Sequence, residues 1–230
     1  MRWASCSSAG CEAPVVKAQF VTFEGGEGAG KSTQIRRLAE ALRKRGANVV
    51  VTREPGGTET AERIRDFLLS GKAIGLGVEG ESILFAAARA DHVDRVIRPA
   101  LERGEWVLSD RFFDSTRAYQ GSDGVDEKLL AALEHLAVGA VRPNLTIILD
   151  LPVEIGLGRA TRRRGEGDVA DRFERETLDR HEKRRQAFLD IARRDPGRCV
   201  VIDASRPEDD VAADIWKAVE VRLLPTAETV

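Results

Sequence analysis

The sequence is poor in cysteine and histidine, with three of each in 230 residues, and it has no long apolar run. Cys6 and Cys11 fall in a Ser/Ala/Gly-rich start, and Cys199 falls in a short apolar stretch. Neither a disulfide framework nor zinc-ligand spacing is present, which fits a reducing cytoplasm. No histidine stands in a motif, so a His-based triad is not expected. No stretch reaches the roughly 18 apolar residues of a membrane helix, so no membrane partner is expected. Residues 1–18 also lack the apolar core of a secretory signal, and we expect a disordered or non-native extension there. An excess of one charge is missing too: 36 Lys and Arg face 38 Asp and Glu. That balance argues against a broad nucleic-acid surface.

What is present is an alternation of short apolar runs and amphipathic segments. Strands are predicted over residues 18–24, 48–52, 106–109, 145–149 and 199–202. Helices are predicted over 32–45, 60–69, 81–103, 126–139, from 153, over 171–194, and over 208–223. Pro99 is expected to bend or interrupt the third of these. Residues 71–80, with four glycines, read as a loop. Five buried strands separated by helices imply an α/β fold: one five-stranded parallel sheet with helices on both faces. No internal repeat or linker divides residues 19–225, which are read as a single domain.

Directly after the first strand stands Gly25-Gly26-Glu27-Gly28-Ala29-Gly30-Lys31-Ser32, followed by Thr33. The pattern G-x-x-x-x-G-K-[ST] between strand and helix is the phosphate-binding loop. Its glycines let backbone N–H groups close on phosphate oxygens at a helix N-terminus. Lys31 supplies a cation for the β- and γ-phosphates and Ser32 a hydroxyl for Mg²⁺. ATP binding follows; what is done with ATP does not.

Three further segments fall where strands and the long middle helix end near that loop. They are Thr52-Arg53-Glu54-Pro55-Gly56-Gly57, Phe85-Ala86-Ala87-Ala88-Arg89, and Asp110-Arg111 continuing to Ser115-Thr116-Arg117-Ala118-Tyr119-Gln120-Gly121. With them the chain resembles bacterial thymidylate kinases, from about residue 20 to the final helix. The resemblance implies a P-loop nucleoside monophosphate kinase fold, with ATP and thymidylate (dTMP) as substrates, dTDP as product, Mg²⁺, and a homodimer joined through helices including the one bearing Phe85.

Residue by residue, the resemblance implies that Phe85 stacks on thymine and Arg89 hydrogen-bonds its carbonyl edge. Thr116 and Gln120 complete the base pocket, and Tyr119 fills the space a ribose 2′-hydroxyl needs. Arg53 and Arg111 clamp the monophosphate, Glu27 meets the sugar 3′-hydroxyl, and Asp110 sits near Mg²⁺. Without the resemblance, Phe85 reads as core, Arg89 as a salt-bridged helix residue, and Asp110-Arg111 as a strand-end ion pair. Asp150 ends another strand and competes for the metal, with a structural role favoured. Glu24 reads either as a partner behind the metal or as the end of a strand. Physical chemistry agrees with a kinase. The second pKa of a phosphate monoester is near 6, so the acceptor oxygen is already anionic and no general base is needed. What is needed is alignment of two charged phosphates by arginines and Mg²⁺.

The basic, glycine-containing segment at about 159–171 resembles the lid of these kinases. The phosphate loop has Gly28 where one subtype of the family carries a catalytic arginine, and the lid is arginine-rich, as in the bacterial subtype. Arg164 and Arg159, then Arg162, are the expected catalytic arginines. Two alternatives remain at this point: a kinase for another nucleoside or nucleotide, and a P-loop ATPase acting on a macromolecule. The second leaves Arg53, Arg111 and the pocket residues unexplained.

Overall fold

The structure is a computed structural model, and it describes residues 17–163, 173 and 176–224. Five strands form one parallel sheet: β1 (Phe20–Gly25), β2 (Val49–Arg53), β3 (Trp106–Asp110), β4 (Leu145–Asp150) and β5 (Cys199–Asp203). Their order is β2-β3-β1-β4-β5. From β1 the chain crosses to the edge strand β2, returns to β3 beside β1, and then runs outward through β4 and β5 on the other side. In open α/β sheets, the crevice at the carboxyl ends of such strands is where ligands bind. The register brings those ends level: Arg53 is opposite Asp110, Phe23 opposite Asp110, and Gly25 opposite Leu149.

The helices are α1 (Lys31–Lys44), α2 (Glu59–Leu69), α3 (Gly77–His92), α4 (Arg98–Glu102), α5 (Phe113–Ser122), α6 (Glu127–Val138), α7 (Val153–Arg163), α8 (Leu178–Arg194) and α9 (Glu208–Leu223). Alternation along β1 sorts them into layers. Val21 and Phe23 pack in one cluster with Leu38 and Leu42 of α1 and Ile215 of α9. Phe20 packs in the opposite cluster with Ala86 of α3 and Ala137 of α6. A third cluster joins α5 to α8 through Tyr119 and Phe188. Glu24 shares the Phe20 face by the same period of two, which puts its carboxylate under α5.

Three expectations need correction. The break in the long middle helix lies before Pro99, as a π-helical turn over Val93–Ile97. Proline has no N–H to donate and its ring crowds the carbonyl four residues back, so the chain widens one turn earlier. Residues 71–80 are not loop throughout: a 3₁₀ turn spans Lys72–Leu76 and α3 starts at Gly77. The helix expected from 171 is described only from Leu178, with Thr177 still extended. One helix, α5, had no counterpart in the sequence reading.

Candidate active site

The phosphate loop joins β1 to α1. Gly25, Gly28 and Gly30 all have positive φ, which turns the loop tightly around its own backbone donors. Gly30 occupies the N-cap without a side-chain cap, and the first turn of α1, which includes Thr33, carries no acidic residue. The helix N-terminus is thus open to an anion. Lys31 Nζ donates to the Gly25 and Gly26 carbonyls at 3.0 and 2.9 Å. Burial lowers its pKa and Arg111 lowers it further, while Asp110, Glu27 and Glu24 act in the opposite sense. Ser32 Oγ donates to Asp110 Oδ2 at 2.8 Å, so a hydroxyl and a carboxylate lie side by side at the foot of the loop.

Arg111 follows β3 with φ 72°, a left-handed backbone that is uncommon for arginine and turns its side chain over the phosphate loop. Its Nη2 donates to Glu27 Oε1 at 2.6 Å and its Nη1 to Ser115 Oγ at 3.1 Å. Tyr119 Oη donates to the same Glu27 oxygen at 3.0 Å. Burial would raise the Glu27 pKa, but Arg111, Lys31 and the Tyr119 hydroxyl outweigh it and hold the group at about 2. Behind Arg111, buried Glu24 accepts from the Phe112 N–H at 2.8 Å and from Ser115 Oγ at 2.6 Å. Burial and then the charge of Asp114 push the Glu24 pKa up, against Ser115, Arg111 and the Phe112 N–H. Glu24 thus serves the turn that presents Arg111.

Beyond Glu27 opens a cleft of about 630 Å³, counting space continuous with solvent. Glu27, Arg111, Phe85, Arg89, Thr116, Tyr119 and Gln120 all line it. Arg89 and Gln120 are buried, and Arg89 Nη2 donates to Thr116 Oγ1 at 3.1 Å. Phe85 faces Phe173 with ring centroids 6.4 Å apart. Arg111 and Arg184 lie over the Tyr119 ring at 5.0 and 4.3 Å. The cleft therefore combines flat apolar walls, guanidinium donors and a carboxylate at the phosphate loop.

Other expected residues lie elsewhere. Arg53 is not among the lining residues; at the end of β2 it pairs with Glu62 at 3.0 Å and stays largely exposed. Arg159, on α7, donates to the Ala204 carbonyl at 3.0 Å, and Arg162 donates to its own helix. Arg164 and most of the expected lid lie outside the described residues. Asp150 takes two hydrogen bonds from Arg185, at 2.7 and 3.0 Å, the structural role favoured for it. Sequence reasoning missed Arg65 and Phe173 as lining residues. Arg65 stands among many charges on α2, and no short-range pattern separates it from them.

This sheet order, phosphate loop and adjoining cleft define a P-loop phosphotransferase with the nucleoside monophosphate kinase fold. A family model described as thymidylate kinase matches residues 23–215. The thymidylate kinase of Rhodopseudomonas palustris is 56% identical over 215 residues, 92% of this chain and 93% of that one. That of Bradyrhizobium diazoefficiens is 55% identical over 215 residues, 93% of this chain and 94% of that one. The crystal structure of the thymidylate kinase from Ehrlichia chaffeensis superposes with a TM-score of 0.70 at 35% identity, covering 88% of this chain and 99% of that one. The chain belongs to the thymidylate kinase family.

Proposed function

We propose that the chain transfers the γ-phosphoryl group of ATP to thymidylate, giving dTDP. One observation carries this reading. Glu27 and Arg111 belong both to the phosphate-loop region and to the lining of the neighbouring cleft, so a donor phosphate and an acceptor phosphate would meet there.

In this reading the loop backbone, Lys31, Ser32 and Thr33 hold the ATP phosphates, and Arg111 holds the thymidylate phosphate. Lys31 leaves its carbonyl partners for the β- and γ-phosphates, where its charge offsets that of the transferring group. Phe85 provides the face for the base, Arg89, Thr116 and Gln120 its polar edge, and Tyr119 the wall beside the sugar. Glu27, ionised and oriented by Arg111 and Tyr119, accepts the sugar 3′-hydroxyl. Arg53, paired with Glu62, reaches the acceptor phosphate only by changing that pairing.

Ser32 and Asp110 fit Mg²⁺: both are hard oxygen donors, and they lie within hydrogen-bond distance of each other. Among the described residues no three His, Cys, Asp or Glu side chains converge on a metal position, so nucleotide phosphates and water would complete its shell. Bound there, Mg²⁺ neutralises phosphate charge. Arg159 and Arg164 would bring cation to the transferring group as the lid closes and water leaves. We further propose a homodimer through the α3 region, supported by the exposure of Ile74, Leu76 and Ile83. Cytoplasmic dTTP synthesis is the setting this chemistry serves; among the described residues no helix is long and apolar enough to cross a membrane.

The test is ADP release in the presence of ATP, Mg²⁺ and a panel of monophosphates. Thymidylate should give the highest kcat/KM, with deoxyuridylate weaker, uridylate and deoxycytidylate poor, and purine monophosphates negligible. Acceptor-independent ATP hydrolysis as the main activity would refute the kinase reading.

A further inference from the structure

One unbroken polar chain runs behind the base end of the cleft. Thr52 Oγ1 and His92 Nε2 are 2.6 Å apart, and His92 Nδ1 lies 2.9 Å from Glu54 Oε1. The other Glu54 oxygen accepts from Arg89 Nε at 2.7 Å. Arg89 Nη2 continues to Thr116 Oγ1 at 3.1 Å and to the Phe112 carbonyl at 3.2 Å. His92 is fully buried, and Glu54 and Arg89 are each 4% exposed. The chain thus ties the end of β2, helix α3 and helix α5 together at Arg89, a buried arginine that lines the cleft.

We propose that His92 is a positioning residue for base selection, holding Glu54 so that Arg89 presents its guanidinium in one orientation. The inference rests on the reading of Arg89 as the group that reads the base. Its physical core is the geometry of the carboxylate. A carboxylate beside a guanidinium favours the two-pronged arrangement, with both oxygens on the arginine. Here His92 occupies one oxygen, so Glu54 contacts Arg89 through Nε alone. With that donor gone, Glu54 is free to rotate and take Nη2 as well. Nη2 would then leave Thr116, and the guanidinium would turn in its plane away from the base edge. With its proton on Nδ1 the imidazole donates to Glu54, and Nε2 accepts the Thr52 hydroxyl, so both ring nitrogens are satisfied.

A second observation points the same way. Gly57, the last glycine of Thr52-Arg53-Glu54-Pro55-Gly56-Gly57, has φ 87° and lies against this chain. A methyl group there would sit 2.6 Å from two atoms of the His92 ring and 2.8 Å from Thr52 Oγ1. Thr58 Oγ1, next in sequence, donates to Asp91 of α3. The turn is therefore shaped to lie on His92 and is fastened to the helix that carries it.

The test uses two amide variants that divide the imidazole between them. His92→Asn puts its amide where Nδ1 stands and keeps a donor for Glu54. His92→Gln puts its amide where Nε2 stands and keeps only the Thr52 contact. The readout is the ratio of kcat/KM for thymidylate to that for deoxycytidylate, with the KM for ATP measured alongside. A merely structural role lowers the active fraction for both acceptors and leaves the ratio unchanged. We expect His92→Gln to lower the ratio about tenfold, through KM for thymidylate, since a buried acceptor loses its donor. His92→Asn should stay within about threefold of wild type, and the KM for ATP should hold in both. If His92→Gln does not fold, His92→Leu, similar in volume, should show the same tenfold fall. Asn and Gln variants with equal ratios overturn the proposal, provided Arg89→Ala collapses the ratio. An unchanged ratio in Arg89→Ala would instead remove the base-reading role of Arg89, and the proposal with it.

Discussion

Gly28 of the phosphate loop and Gly156 of α7 meet backbone to backbone. A methyl group on Gly28 would lie 2.0 Å from the Gly156 carbonyl oxygen, and one on Gly156 would lie 2.4 Å from the Glu27 carbonyl oxygen. Position 28 therefore has no room for an arginine, and any arginine that serves the transferring group beside Lys31 has to come from another segment. Helix α7, which makes the contact, is also the one that leads toward the expected lid. Gly28 has φ 67° besides, so a side chain there is strained as well as crowded. Gly28→Ala and Gly156→Ala should each lower kcat/KM for ATP by about 100-fold or more, because the shape of the loop depends on this approach. Steady-state kinetics and ATP titration test this. Near wild-type affinity for ATP in both variants would mean that the contact has no part in loop geometry.

Lys31 is held between two carbonyls of the phosphate loop, where the proposed function places the ATP phosphates. Lys31→Ala should lower turnover by about 10³-fold or more, since it removes charge aimed at the transferring phosphoryl group. Its thermal transition should stay within a few degrees of wild type, because burial of the ammonium already counts against it. Circular dichroism melts and ADP release test this together. Near-normal turnover in a folded variant would refute the donor site.

Glu27 makes a prediction about pH. Its pKa is held at about 2, from an ordinary value of 4.5, so the folded state favours the ionised form. The stability this group contributes is therefore complete above about pH 4.5 and is lost as pH falls toward 2. Glu27→Gln should cost up to about 3 kcal/mol near neutrality, where it also leaves Arg111 without its nearest anion. Urea unfolding from pH 7 down to pH 3 should show the gap between variant and wild type narrowing below pH 4.5. A gap independent of pH would mean that the Glu27–Arg111 pair is not the source of the difference.

The five strands were legible because each is a short apolar run halted by glycine or a charged residue. The phosphate loop was legible because its chemistry fixes both composition and spacing. Helix α5 was not, since it buries Asp114, Thr116 and Gln120 along with its apolar residues. Hydrophobic periodicity reports an apolar face, and a helix that turns polar groups into a cleft and a buried network carries little of that signal. Phe85 and Arg89 were found through the motif, yet the partners that orient Arg89 were not. Glu54 was read as part of a turn and His92 was passed over, because nothing local links them. They meet only when β2 and α3 pack, so their pairing is information held in the tertiary structure.

The lid arginines give the last prediction. Arg159 ties α7 to the loop after β5 through the Ala204 carbonyl, while Arg164 follows the last helical residue described in α7. If Arg164 meets the transferring group only when the lid closes, its contribution belongs to the transition state and not to substrate binding. Arg164→Ala should then lower kcat by about 100-fold while the KM for thymidylate changes less than about threefold. Arg159→Ala should behave differently. It removes a hydrogen bond between two segments flanking the phosphate loop as well as a charge, so the KM for ATP should rise along with the fall in kcat. The double variant should lose little more turnover than the worse single one if both arginines serve the same closed state. Measuring kcat and both KM values for the three variants decides it. A rise in the KM for thymidylate with kcat unchanged would move Arg164 out of the transferring site and into acceptor binding.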